Sequence, residues 1–396
     1  MILANVIVVL VITASVAGSG FLALLGWKFI TREVPCDLKT NIVTSSVSII
    51  IPSLGGGCQL DACLVALSRN MPAVVEKVTV ILQGASQCAV DGIRAGWGSS
   101  VELEVWEVKG TQSKSTAINL GLQSVSTGWV LLLDSDTQVG PHIHRLFDSL
   151  SDTDAVYGMI LPVDKGADQL LDRVIKADKV VSHGVWRLGR FIAGLWPNLP
   201  GQCYAIRTEM LQAIYDQQMG HLDDMAVTMK LAARGARIKF VPAVVCFEEG
   251  RSTWLGLFSQ RARWTIGLAQ AISKSLASRN NRVDVIACWI IHSWIYLGWP
   301  LFTSAVCIAL VALGSPFCAL AVVLSFLITW SLLVMAGNRV FTHLDTNYAP
   351  VRFASSAFPA SCLILLAQTL GFLAAPCFLL VYAVRPHFGN RVLYRR

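Results

Sequence analysis

The stretch LLLDSDTQVG (131–140) sets Asp134 and Asp136 one residue apart at the end of an apolar run. Aspartate is common in the turn that follows a strand, so turn chemistry is one explanation. The other is a cation. Mg²⁺ and Mn²⁺ take oxygen ligands and are held by one or two carboxylates together with substrate phosphates. Such an ion neutralises charge on a departing diphosphate. A second pair, Asp223 and Asp224 in LDDM, opens a helical stretch. Free N–H groups and the helix dipole favour carboxylates there, so one role is capping. The other is general base catalysis, with the two carboxylates separated in pKa by their surroundings. A third cluster, QRARW (260–264), carries Arg261 and Arg263. Arg263 suits a diphosphate, which guanidinium grips through two parallel hydrogen bonds. Phospholipid contact is the alternative for both arginines.

The elements around these residues are legible from their periodicity. SVSIIIPS (46–53) is a continuous β-branched run closed by proline, the pattern of a buried strand. A glycine turn and a helix follow, with Leu60, Cys63, Leu64 and Leu67 at helical spacing. KVTVILQ (77–83) and VELEVWEV (101–108) read as strands, 115–124 as a helix, and WVLLLDSD as a fourth strand. Strand and helix in alternation imply parallel pairing in a doubly wound α/β sheet. Ligands of such sheets bind beyond the carboxyl ends of the strands, which is where Asp134 and Asp136 fall. Further on, 166–189 reads as helical, QCYAIR (202–207) as a short strand, and 222–242 as a helix ending at Gly235 and then a strand.

Composition divides the chain. Of 396 residues, 54% are hydrophobic and only 14% charged, with a mean hydropathy of +0.57; soluble proteins average about 25% charged. The deficit is at the ends, while the middle reads as an ordinary domain. Residues 1–30 hold no charge before Lys28, too long an apolar run for a signal peptide and without its basic start. They are expected to form a retained transmembrane helix, with a cleaved signal as the lesser alternative. Lys28, Arg32 and Lys39 follow it, which by the positive-inside rule puts the next domain in the cytoplasm. Three more apolar blocks (284–313, 316–337, 356–384) each exceed the ~20 residues of a membrane crossing. The expected domains are a transmembrane helix over 1–30, a cytoplasmic domain over 40–252, an interfacial region over 253–282 and a membrane region over 283–396. In the interfacial region Trp254, Leu257, Phe258, Trp264, Leu268 and Ile272 share one helical face, fit to lie in a membrane surface. The net charge of +7 includes a basic cluster just before the second membrane block, suited to an anionic leaflet or phosphorylated substrates. No basic run with interleaved aromatics points to nucleic acid. Eleven scattered cysteines without a C-x-x-C pair argue against a disulfide framework or zinc site and for a reducing compartment.

D-x-D, then D-D at a helix start, then Q-x-x-R-W before apolar blocks: in this order the motifs resemble membrane-integrated family 2 glycosyltransferases. Relatives of that family include cellulose, chitin and hyaluronan synthases and ceramide glucosyltransferases. The likeness covers roughly residues 45–270. It implies a GT-A-like, doubly wound, mostly parallel sheet flanked by transmembrane helices at both ends. It also implies roles for single residues. Gln83 ends the second strand where the family has an Asp that contacts the nucleotide base. SKSTAIN (113–119) echoes the family's Gly-Lys-x-x-Ala-x-Asn, matching at Lys114 and Asn119 but with Ser113 in place of glycine, and Lys114 would approach the diphosphate. Asp134 and Asp136 match the pair that holds metal and nucleotide. Gly201 and Cys203 match the strand near the acceptor. Asp224 matches the catalytic base, with Asp223 standing for the preceding Glu near the acceptor. Gln260, Arg263 and Trp264 match Q-x-x-R-W, near acceptor and diphosphate. Met225 departs from the Arg that often follows the base in hyaluronan and chitin synthases.

The expectation is therefore an integral membrane, inverting glycosyltransferase using Mg²⁺ or Mn²⁺, with its active site facing the cytoplasm. Its partners would be a UDP- or GDP-sugar donor, the membrane and a lipid or glycan acceptor, with no nucleic acid. Few membrane blocks favour a lipid acceptor; the alternative is a processive polysaccharide synthase, among which Q-x-x-R-W is frequent. A transporter would carry ionisable residues inside its membrane blocks, and here His292 is the exception. A binding module would have lost carboxylates. A nucleotidyltransferase would share the sheet but release no nucleotide diphosphate.

Overall fold

The computed structural model describes residues 46–110, 113–163, 170–195, 197–215, 219, 222–277 and 299–344. The apolar block at 1–30, residues 284–298 of the next block and the block at 356–384 lie outside these. The described residues fall into two compact units. One runs to Val163 and resumes over Pro197–Glu249; the other takes the chain within Asp164–Trp196 and from Gly250 onward.

The first unit is built on an eight-stranded sheet. Its interior strand β1 (Val47–Leu54) is buried along its length up to Leu54 because both faces are covered. β2 (Val75–Gln83) pairs parallel with β1, and β3 (Glu102–Val108) parallel with β2. β4 (Trp129–Leu133) lies parallel on the other side of β1. The helices α1 (Cys58–Arg69), α2 (Gln87–Gly96) and α3 (Lys114–Gly121) make the crossovers. In α1 the residues that bury are Leu60, Cys63, Leu64 and Leu67, as the helical spacing predicts. Ser113 caps α3 by accepting from the Thr116 backbone N–H. The helix reaches the sheet through Gly121, where a Cβ would come within 2.8 Å of Ile50 Cγ2.

Beyond β4 the sheet is no longer doubly wound and parallel. β5 (Thr137–Val139) and a short helix α4 (His144–Phe147) precede β6 (Ala155–Pro162). β7 (Cys203–Arg207) lies between β4 and β6, antiparallel to both. α7 (Thr208–Ile214) and α8 (Asp223–Ala233) lead to β8 (Ile238–Glu248), parallel to β6 and antiparallel to β5. The strand order is β3-β2-β1-β4-β7-β6-β8-β5. The cause is topological: the chain leaves the unit after β6 and re-enters β7 at the edge where β6 ended, so β7 runs back against its neighbours. Strand β6 went unread in the sequence, although all but its last residue are buried.

In the second unit α5 (Leu170–Val181) passes through a π-helical turn, Ser182–Arg187, into α6 (Leu188–Ile192). It is joined by α9 (Trp254–Ala277), α10 (Trp299–Ala312) and α11 (Pro316–Leu344). Two glycines bring α11 onto the first of these helices. A Cβ at Gly337 would fall 2.6 Å from Val180 Cγ1, and one at Gly184 2.8 Å from Phe341. Gly314, at φ +70°, makes the turn between α10 and α11, a backbone region L residues enter at a cost. Among the described residues α11 is the one helix long and apolar enough to cross a membrane.

Candidate active site

Four strand ends and two helix starts meet at the carboxyl edge of the sheet. Asp134 is the first residue past β4, and its N–H donates to the Gln202 carbonyl at 2.9 Å, which ties it to the start of β7. The Thr137 N–H returns to the Asp134 carbonyl at 3.0 Å, a tight turn that tucks Asp136 inward. Asp136 is 7% exposed, and its carbonyl accepts from the Glu249 N–H at 2.9 Å. The two carboxylates predicted from the apolar run therefore sit on a turn held to two other strands.

Lys114, first residue of α3, reaches across the edge. Its Nζ lies 2.6 Å from Asp134 Oδ1 and 3.5 Å from Asp223 Oδ2, and donates to the Gly201 carbonyl at 3.1 Å. Burial opposes the ammonium charge, but Asp134, Asp223 and Asp224 outweigh it and hold Lys114 above the ordinary lysine range. Burial also raises Asp134, which Lys114 opposes and the neighbouring Asp136 charge reinforces; the carboxyl is pushed up to about 6.

Asp223 and Asp224 open α8 but face different partners. Asp223 accepts from the Tyr215 hydroxyl at 3.3 Å besides its contact with Lys114. Asp224 Oδ1 accepts from the Met225 N–H at 2.8 Å, one of the N–H groups of the first turn that lack a helical partner. Its other oxygen lies 3.1 Å from where a Cβ on Gly201 would stand. Gly201 therefore leaves room for that carboxylate. The Asp224 carbonyl accepts from Thr228 Oγ1, which in turn accepts from the Leu199 N–H, so α8 and the segment before β7 are fastened together.

The other residues named from the sequence distribute unequally. Gln83 ends β2 at the same sheet edge, 4% exposed and paired across from Leu54 and Val108. Cys203, matched to the acceptor strand, turns its thiol into the core with Cys63, Leu133 and Cys246. Alternation along β7 puts the next residue, Tyr204, on the other face. Gln260, Arg263 and Trp264 are half-buried on α9 in the second unit. Arg261 departs from the lipid-contact alternative: it is 4% exposed, pairs with Asp178 of α5 at 2.5 Å, and stacks over Trp264 at 4.3 Å. On the proposed interfacial face Leu257 and Leu268 are buried, while Trp254, Phe258 and Trp264 are half-buried.

Sequence reasoning missed a third acidic pair. Glu248 ends β8 beside Thr137, accepting from Gln202 Nε2 at 3.1 Å, and Glu249 accepts from Gln59 Nε2 at 2.8 Å. CFEEG carries the same signal as LLLDSD, acids closing an apolar strand. Among the described residues no group of three or more His, Cys, Asp or Glu is placed to hold a metal. Asp134 and Asp136 nevertheless suit one, since two crowded, partly desolvated carboxylates gain from a cation whose remaining ligands are phosphate and water.

A family model described as "Glycosyl transferase family group 2" matches residues 129–338, more than half of the chain. The chain belongs to this family. This group 2 glycosyl transferase is 25% identical over 165 residues to a Staphylococcus aureus poly-beta-1,6-N-acetyl-D-glucosamine synthase, covering 41% of the chain and 40% of that protein. It is 26% identical over 176 residues to a Bacillus subtilis protein, "Probable glycosyltransferase YdaM", covering 42% of the chain and 40% of the relative. The chain thus spans less than half the length of either. Its fold is that of a Pyrobaculum calidifontis mannosyltransferase solved with GDP-Man and Mn²⁺: TM-score 0.59 at 16% identity, covering 93% of this chain and 99% of that one. The likeness supports a GT-A-like architecture.

Proposed function

We propose that this family 2 member is a membrane-bound, inverting glycosyltransferase that moves a sugar from a nucleotide-diphosphate sugar to a lipid acceptor. The observation that carries the reading is the Lys114 ammonium, which links the D-x-D carboxylate Asp134 to Asp223 at the opening of α8. One cation thereby joins the side that would bind the donor to the side that would bind the acceptor. Asp224 takes the proton of the acceptor hydroxyl, and the freed oxygen attacks the anomeric carbon. The bond to the diphosphate breaks, with inversion. Lys114 meets the negative charge that develops on the leaving group. Mg²⁺ or Mn²⁺, held by Asp134 and Asp136, would supply further charge neutralisation there. Gln83 contacts the nucleotide base. Gly201 and Asp223 line the acceptor path, to which Cys203 contributes backbone alone.

Membrane attachment is supported by α11. Phe317, Leu320, Leu324, Ile328 and Leu332, at helical spacing, are 42–86% exposed, a stripe that water would disfavour and lipid would cover. Together with the apolar block at 1–30 it supports an integral membrane protein, whose basic residues after that block favour a cytoplasmic active site. A second reading, a processive polysaccharide synthase, is favoured by the name of the Staphylococcus aureus relative.

The test is to incubate detergent-purified full chain with UDP- and GDP-sugars, Mg²⁺ or Mn²⁺, and extracted membrane lipids. Release of nucleotide diphosphate with a labelled, organic-soluble product is expected. A high-molecular-weight polymer instead selects the second reading. No sugar transfer from any donor overturns both.

A further inference from the structure

Tyr204 is the second residue of β7, opposite Leu132 of β4. Cys203 and Ala205 on either side of it face the core cluster, so its ring lies on the other face of the sheet. That is the face of α3, because Leu132 is aligned with Ile50 and Ile50 packs on Gly121. Tyr204 is 1% exposed, and among the described residues its hydroxyl has no hydrogen-bond partner. The neighbouring phenol differs: Tyr215 donates to Asp223, and Ser115 at the start of α3 also bonds its oxygen. Burial first, then the charges of Asp223, Asp224 and Asp134, hold the Tyr204 phenol protonated far above the ordinary tyrosine range. It is thus a permanent donor beneath three carboxylates.

A buried hydroxyl left without a partner is destabilising, and such groups in folded proteins call for a use. The use follows from Lys114, whose one ammonium cannot serve Asp223 and a bound diphosphate equally. We propose that Tyr204 is a positioning residue whose hydroxyl becomes a donor to Asp223 when Lys114 turns from it to the diphosphate. This rests on the nucleotide-sugar reading above. The hydroxyl then keeps the first carboxylate of α8 in place while its neighbour Asp224 works.

Thermal melting of the detergent-purified full chain tests this, with GDP and UDP, each with Mn²⁺, as probes. Without ligand, Tyr204→Phe is expected to melt about 2–4 °C above wild type, since an unsatisfied hydroxyl is gone. Tyr215→Phe, which loses a made bond, is expected to melt lower. With nucleotide and Mn²⁺ the wild type should gain more than Tyr204→Phe, closing the gap between them. In turnover, Tyr204→Phe should raise the donor KM about tenfold with a smaller change in kcat, because a bond made on donor binding is lost. Equal ligand-induced gains in the two proteins, a lower melting point for ligand-free Tyr204→Phe, or unchanged donor KM each overturn the Tyr204 assignment alone. Absence of any gain in wild type with both nucleotides overturns the functional reading and the assignment with it.

Discussion

Asp223 and Asp224 are adjacent in sequence yet differently engaged, and that difference sets their expected weights in the reaction. Asp223 is bound to Lys114 and Tyr215, whereas Asp224 accepts from the Met225 N–H with one oxygen and has Gly201 beside the other. Asp224→Asn keeps the size and an oxygen to accept from the Met225 N–H, so the fold should persist. Loss of a positioned base costs about 10²–10⁴-fold in rate, and donor binding should hardly change. Asp223→Asn should cost less than that. A dead Asp223→Asn beside an active, folded Asp224→Asn would reverse the two roles. A second expectation concerns Asp134, whose carboxyl sits near 6, above the ordinary aspartate value of about 3.9. Below that pH it is protonated, and a divalent cation must displace the proton. Mn²⁺ affinity of the nucleotide-free protein should therefore weaken about tenfold per pH unit below 6 and level off above it. An affinity constant from pH 5 to 7, by calorimetric titration, would exclude Asp134 as a ligand.

Among the elements, α11 depends on contacts too close for any side chain. Its backbone meets Val180 of α5 at Gly337, and the reverse contact is made by Gly184 under Phe341. A helix can approach another this closely only where Cβ atoms are missing. Gly337→Val introduces three carbons where one already falls 2.6 Å from Val180 Cγ1. Overpacking of this kind costs about 1–3 kcal/mol, which should appear as a lowered melting temperature. The same change at Gly92, where a Cβ would meet nothing within 4 Å, tests whether the effect is mere loss of glycine in a helix. Equal losses at both positions would show that the close crossing contributes nothing.

For the molecule as a whole, the open question is what covers the outer side of α11. Half of its most apolar window is buried in the protein, and the rest is the stripe from Phe317 to Leu332. Ile328, 59% exposed, lies near its middle. In water, an arginine at so exposed a position would be nearly neutral. In the centre of a bilayer it costs about 2.5–3.5 kcal/mol on insertion scales. Ile328→Arg should therefore reduce the fraction of expressed protein that stays with membranes after alkaline extraction, while Ile328→Leu should not. Unchanged retention of both variants would remove α11 as a membrane helix.

Much of this protein could be read from its residues in order. Unbroken apolar runs mark β1 and β4 because a strand buried on both faces needs no polar side. The 3-4 spacing of Leu60, Cys63, Leu64 and Leu67 marks α1 for the same reason of burial. D-x-D and D-D stand out because carboxylates are rare in so apolar a chain. What local pattern does not contain is which distant segments come together. The reversal at β7 arises only because the chain leaves the sheet after β6 and re-enters at the same edge. With it came the inward turn of Cys203 and the placing of Tyr204 beneath the carboxylates. Arg261 looked like a surface cation on an amphipathic helix until packing supplied Asp178, and a charge is buried only where such a partner waits. Lys114 meets Asp134 and Asp223 across 20 and 109 residues. No periodicity spans such distances, and only the folded sheet brings these three side chains to one edge.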